Sequence, residues 1–296
     1  MTRAKHIDRF FLLIVAVLSV GGYAIFLSAS LGLFPEGGGE FGLAASKQFV
    51  LGLVLGGILL TTFARIPYRF WRRYAFYFFL FAISLTAAVL IPGIGQSHGG
   101  ATRWLDIFGF SFQPAELLKL AFVVYLAAWF SGVREKVADI RLGLLPFAIL
   151  SGLTALVLLA QPDTDALLIL LISGGAIYLV AGAPLRHLAV LALIGVIGAG
   201  VLFTQQSYLA SRLTTFLKPG TDALGAGYQV NQSLIAIGSG GILGRGFGQS
   251  LQKFDYLPEP TGDSIFAVAG EEFGFVGASI LIAAFLLFAL RGLRIA

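Results

Sequence analysis

Five acidic side chains crowd into one stretch near the end of the chain, KFDYLPEPTGDSIFAVAGEEFGFVG from Lys253 to Gly277. Asp255, Glu259 and Asp263 recur every four residues ahead of an apolar run, and Glu271 and Glu272 lie inside that run. Pro258 and Pro260 argue against a regular helix over the first three, because each lacks an amide proton and fixes φ. Those acids therefore belong to an irregular loop, and Asp263 stands where the chain enters a helix. A carboxylate there is most simply an N-cap. The amide donors of a helix start favour its ionised form while apolar surroundings disfavour it, so a general base is compatible with the same position. Glu271 and Glu272 point about a hundred degrees apart on a helix, so no single partner easily satisfies both. They either pair with Lys or Arg of another segment or line a proton or ion path.

Other residues invite a chemical reading. Glu116 and Lys119 sit three apart, on one helical face, as a buried structural ion pair within the membrane or as the border of an anionic substrate's pocket. GSGGILGRGFG, Gly238 to Gly248, is glycine-dense and contains Arg245. It has neither the spacing of a P-loop nor a strand-to-helix context. The segment reads as backbone packed close to a helix or lipid, or as free amides that with Arg245 grip a pyrophosphate. Arg103, Arg212, Lys218 and Lys253 add cations on the same side of the chain by the loop assignment below. With no cysteine, thiolate catalysis and disulfides are excluded, and His6, His98 and His187 are too scattered for a multi-histidine metal site.

The elements that must carry these residues are membrane helices. Of 296 residues, 57% are hydrophobic and 12% charged, with mean hydropathy +0.89, far from a soluble composition. Eight apolar runs approach the length that spans a bilayer: Phe10–Leu31, Phe49–Ala64, Tyr74–Ile94, Leu117–Phe130, Leu144–Ala160, Ala166–Ala183, Leu188–Phe203 and Ser264–Leu290. The net charge of +5 is topological and does not mark nucleic-acid binding. Most Lys and Arg fall in alternate loops, around Arg3, Arg65 to Arg73, Arg134 to Arg141, Arg186 and Arg291, which places those loops and both termini in the cytoplasm. Removing the first span as a signal peptide would spoil this alternation, so it is read as retained. The predicted fold is an all-α polytopic membrane protein of about eight transmembrane helices, with a large extracytoplasmic loop, 204–262, between helices 7 and 8. Phe34 to Ala45 and Gly95 to Pro114 are expected to be shorter outer loops.

Taken in order, ATRWLDIFGFSFQPAELLKLA from Ala101, QPD from Gln161, GAGYQVNQSLIAIGSGGILGRGFGQS from Gly225, and the stretch from Lys253 resemble the SEDS family of FtsW, RodA and SpoVE. The likeness leans toward FtsW. It implies one SEDS-type transmembrane domain over 1–296 in the bacterial inner membrane, with an extracytoplasmic active face. The implied activity is peptidoglycan glycosyltransfer, polymerising lipid II into β-1,4 glycan strands for cell division (FtsW-like) or elongation (RodA-like), with inversion and loss of polyprenyl pyrophosphate. Asp263 occupies the place of the family's essential acid, LPEPTGDSIFAV standing against LPEAHTDFIFAV. Substrate contacts are expected from Arg103, Glu116, Lys119, Arg212, Gln232, Ser233, Arg245, Lys253 and Glu259. A divalent cation could assist at the pyrophosphate, and no other cofactor is implied. The expected partners are a class B penicillin-binding protein and other divisome or elongasome membrane proteins. QPDTDAL departs from the family's QPDLGTA at Asp165, and family members have ten spans where eight are counted here. Two other functions fit the charged spans: a flippase for a lipid-linked cell-wall precursor, and a non-catalytic divisome scaffold.

Overall fold

The computed structural model describes residues 8–36, 38–98, 101–107, 110–205 and 227–295. The chain forms two compact units, Met1–Ala64 with Phe203–Ala296, and Arg65–Leu202. In the first, α1 (Arg9–Ser30) leads through a 3-10 turn (Leu31–Glu36) to α2 (Gly38–Lys47), which continues through a π-helical stretch (Gln48–Leu55) into α3 (Gly56–Arg65). The expected outer loop at 34–45 is thus partly helical. Its glycines lower helix propensity, yet the helix continues into the apolar run that follows.

In the second unit, α4 (Tyr68–Ala88) precedes a β-meander, then α5 (Pro114–Val133), α6 (Leu145–Ala160), α7 (Thr164–Val180) and α8 (Leu185–Gln205). The meander corrects the all-helical expectation. β1 (Gly95–His98), β2 (Ala101–Ile107) and β3 (Phe110–Phe112) pair antiparallel in that order, with Gln96 opposite Trp104 and Asp106 opposite Ser111. Thr102, Trp104 and Ile107 favour extended backbone, and strand pairing satisfies their backbone hydrogen-bonding groups. Within this unit, Phe79, Phe122, Phe130, Phe147, Leu170 and Tyr178 belong to an aromatic-rich core. The buried Tyr178 hydroxyl meets His187 Nδ1 at 2.8 Å.

The last segments return to the first unit. α9 (Tyr228–Ser239) packs on α10 (Ile265–Ile295), and α10 packs on α1. A small buried cluster of Ala29, Ala236, Leu257, Ala267 and Val268 joins them. By length and hydropathy, five described segments can cross a bilayer: Arg9–Leu33, Gly39–Arg65, Pro114–Val133, Ile140–Ala160 and Ile265–Ile295. The apolar helices Thr164–Val180 and Leu185–Gly198 are shorter, and α4 carries Arg69, Arg72 and Arg73 near its start.

One ion pair closes the first unit where α1 begins and α10 ends. Asp8 caps α1 by accepting from Phe11 N at 2.8 Å, and Arg291 Nη2 reaches its other oxygen at 2.6 Å. Its carboxyl is held below the usual aspartate range, first by the Phe11 amide and then by Arg291. A depressed folded pKa makes this contribution complete above the unfolded value, about 3.9, and lost as pH falls through the folded value. Asp8→Asn keeps a capping oxygen and removes the charge. Its melting temperature in detergent should therefore sit below the parent's at neutral pH. The gap should close only below about pH 4; a gap unchanged down to acid pH would deny the charge any role.

Candidate active site

The glycine-rich segment and the paired glutamates turn out to be one structure. α10 is interrupted at Gly274, whose φ of 64° and ψ of −166° are not helical. The segment 240–246 runs alongside the break and supplies what the helix lacks. Arg245 N donates to Glu271 O at 3.0 Å and Gly246 N to Glu272 O at 2.9 Å, while Phe275 N and Val276 N donate to Gly241 O and Ile242 O at 2.9 and 3.1 Å. The glycines permit this approach: a Cβ on Gly240 would lie 2.2 Å from Gly270 O, and one on Gly244 2.2 Å from Glu272 O. These amides are spent on backbone, so the reading of the segment as packing holds for them.

The break places Glu271 and Glu272 where they meet a second segment, 248–253. Both are fully buried. Glu271 accepts from Ser250 Oγ at 2.6 Å, Leu251 N at 3.1 Å and Gln252 N at 3.2 Å, with Arg245 Nε 3.4 Å away. Glu272 Oε1 accepts from Ser28 Oγ at 2.6 Å and Lys253 Nζ at 2.8 Å, and its Oε2 has no hydrogen-bond partner among the described residues. Lys253, with a fully buried side chain, also donates to Ser28 Oγ at 3.1 Å and Gly248 O at 2.9 Å. Each acid thus has its own cation, and the hundred-degree divergence is resolved by two sets of donors. A buried pair of this kind is tolerable only when hydrogen-bonded, as here.

From that anchorage the chain runs through tight turns to Asp263. Leu257 is buried in the small cluster, and Ser264 Oγ donates to Pro258 O at 2.8 Å while accepting from Gln229 Nε2 at 3.2 Å. α10 begins at Ile265, so Asp263 lies just ahead of its first turn. Asp263 is exposed, and its carboxylate has no hydrogen-bond or ionic partner among the described residues; it does not cap the helix. Glu259, also exposed, adopts a φ of 49°. Gln232 and Ser233 lie half-exposed on α9, three and four residues beyond Gln229 and so on its face of the helix. Arg245 keeps 38% of its side chain exposed beside Glu271.

Arg103, Glu116 and Lys119 belong to the second unit. Arg103 Nε donates to Gln161 O at 3.1 Å and Nη2 to Pro162 O, with Nη1 3.8 Å from Asp163 Oδ1. Gln113 Nε2 donates to Asp163 Oδ2 at 3.0 Å, and Asp163 caps α7 through Ala166 N. The QPD turn is therefore tied to the β-meander. Glu116 and Lys119 do pair, at 2.8 Å, but on an accessible face: Glu116 is 59% exposed. Position in the first turn of α5, beside the sheet, removes the burial that the sequence reading assumed. Arg212 lies outside the described residues. Sequence reasoning missed Ser28, Ser250 and Gln229; a serine in a run of small residues at a helix end carries no signal of the carboxylate it will meet.

These features define a class: a multi-pass helical membrane protein in which an interrupted helix and a glycine-rich segment hold buried charges beneath a loop of exposed carboxylates. The family model FTSW_RODA_SPOVE, described as "Cell cycle protein", matches residues 8–296, and the chain belongs to that family. It is 36% identical to stage V sporulation protein E of Bacillus subtilis (strain 168), over 85% of this chain and 69% of that one. It is 33% identical to the probable peptidoglycan glycosyltransferase FtsW of Geobacter sp. (strain M18), over 100% and 80%. Among solved structures it resembles a chain of "Structural coordination of polymerization and crosslinking by a peptidoglycan synthase complex", with a TM-score of 0.73, 28% identity and coverage of 97% and 77%.

Proposed function

We propose that this protein is an inverting peptidoglycan glycosyltransferase that polymerises lipid II into β-1,4 glycan strands, in cell division as an FtsW-like enzyme. Family membership supports the reaction class, and one observation carries the assignment of the base. Asp263 is an exposed carboxylate with no partner among the described residues; Asp255 and Glu259 on the same loop are exposed too, but Asp263 alone stands directly ahead of α10, at the place of the family's essential acid, while Glu271 and Glu272 inside the helix are held by buried donors. Asp263 takes the proton of the acceptor sugar hydroxyl as that oxygen bonds to the donor's anomeric carbon. The bond from that carbon to the pyrophosphate oxygen breaks, and polyprenyl pyrophosphate leaves with the electron pair. Attack from the opposite face inverts the centre, and no covalent enzyme intermediate is needed.

Of the candidate cations, Arg103 and Lys253 are committed to protein partners. Arg245 retains exposed surface for a departing pyrophosphate; Lys119, in the second unit, and Arg212, outside the described residues, are proposed as substrate contacts from the family resemblance alone. Gln232, Ser233 and Glu259 are proposed to hold sugar or peptide groups near Asp263. A divalent cation at the pyrophosphate stays part of the proposal, and the steps above are those of the chain's own groups. The proposed topology is one domain of eight spans, both termini cytoplasmic, with 204–262 and Asp263 on the outer face. A class B penicillin-binding protein is the proposed partner.

A flippase would use Glu271 and Glu272 as a polar path through the span. Their burial and donor sets favour a structural part instead. The deciding experiment incubates the chain, reconstituted with and without a class B penicillin-binding protein, with labelled lipid II. The expected product is a ladder of glycan strands. Transfer of lipid II across the bilayer without polymer would replace this reading by the flippase, and neither activity would leave the scaffold.

A further inference from the structure

We infer that Lys253, Glu272 and Ser28 form a buried positioning site that sets the placement of the loop bearing Asp263, and that Lys253 acts there rather than on substrate; the kinetic part of this inference rests on the polymerase reading above. Three segments distant in sequence meet at Glu272 Oε1: the end of α1 through Ser28, the start of the loop through Lys253, and the last turn before the break in α10. The ammonium has no route to solvent, since its side chain is fully buried, and its three donors are taken by Glu272, Ser28 and Gly248 O. A pyrophosphate could reach it only by displacing these. Gly32, just past α1, approaches Lys253 so closely that a Cβ there would fall 2.2 Å from Lys253 O.

The placement fixes one end of the loop. Leu257 N bonds Gln252 O at 2.9 Å, Ser264 N bonds Glu259 O at 3.2 Å, and the Ser264 hydroxyl bonds Pro258 O. Short links of this kind carry the position of 250–253 on to 264, so a shift at Lys253 is transmitted to Asp263 rather than absorbed. A base must meet its proton within hydrogen-bond reach, and small misplacements of a reacting group cost rate without costing substrate affinity. Glu272 Oε2, without a hydrogen-bond partner among the described residues, indicates a carboxylate oriented toward one set of donors at the expense of its other oxygen.

The test uses the full chain in four forms: parent, Lys253→Met, Glu272→Gln, and the two together, which leaves no unpaired buried charge should a single variant fold poorly. Each also carries a spin label at Tyr256→Cys, an exposed loop position in a chain otherwise free of cysteine. Folding is checked by thermal melting in detergent, and polymerisation of lipid II is followed as kcat and KM. The folded variants should lose about tenfold or more in kcat at unchanged KM, the double variant no worse than the worse single, and the label should become more mobile. A raised KM with parental kcat in Lys253→Met would make Lys253 a substrate contact and overturn the inference. So would a label spectrum identical to the parent's in the folded variants. If the parent itself makes no polymer, the polymerase reading falls, and the label alone still decides whether the pair holds the loop.

Discussion

Asp263→Ala should abolish glycan synthesis while leaving the protein folded. The two halves of that expectation come from the same observation. An exposed side chain without a hydrogen bond among the described residues contributes little to the native state, and substitutions of this kind usually fall within about 0.5 kcal/mol. A general base contributes a factor of about 10² to 10⁴ in rate, which would bring a slow polymerase to the limit of detection. Asp263→Asn separates charge and proton acceptance from shape and should fail equally. Asp263→Glu, with the base displaced by a methylene, should recover part of the rate. The measurement is polymer formed from labelled lipid II per folded enzyme, with melting temperature recorded for every variant. Parental rates in a folded Asp263→Ala protein would remove Asp263 from catalysis and with it the mechanism above.

The position of Asp263 was legible because prolines and an apolar run are local signals, read without knowing what packs against them. Its lack of a capping role was not, since that depends on which residue begins α10, a boundary that tertiary packing shifts by one or two positions. The five described segments long and apolar enough to cross a bilayer were legible through hydropathy alone. The β-meander at 95–112 was hidden inside what composition marks as an outer loop, its alternation spread over strands too short to stand out. The buried charge network was half legible. Two acids in an apolar run demand partners, but Ser28 is more than two hundred residues away and Lys253 looks like a solvated loop cation. Only the broken helix, which hydropathy cannot register, explains how both glutamates find donors at once.

That break makes the second large effect. Gly274→Ala, or Gly244→Ala opposite it, should prevent the protein from accumulating in folded form. Gly274 combines φ of 64° with ψ of −166°, a region open essentially to glycine alone. A Cβ there would stand 2.3 Å from Gly244 N and 2.6 Å from Ile242 O. One on Gly244, whose φ is 81°, would stand 2.2 Å from Glu272 O. All these neighbours are backbone atoms in the hydrogen-bonded seam, so no side chain can swing aside. Relief requires the 240–246 segment to leave α10. The carbonyls of Glu271 and Glu272 would then lose their donors inside an apolar span, at a cost of about several kcal/mol per group in hydrocarbon. Separation would also draw Arg245 and the 248–253 segment away from two buried carboxylates. Losses of this size exceed the roughly 5–15 kcal/mol by which folded proteins persist, or consume most of it. Fluorescence-detected size exclusion of detergent extracts makes the comparison, with Gly152→Ala and Gly21→Ala as references because a Cβ at either meets nothing within 4 Å. A monodisperse Gly274→Ala peak as high as the references would show that the segment does not need to lie against the broken helix.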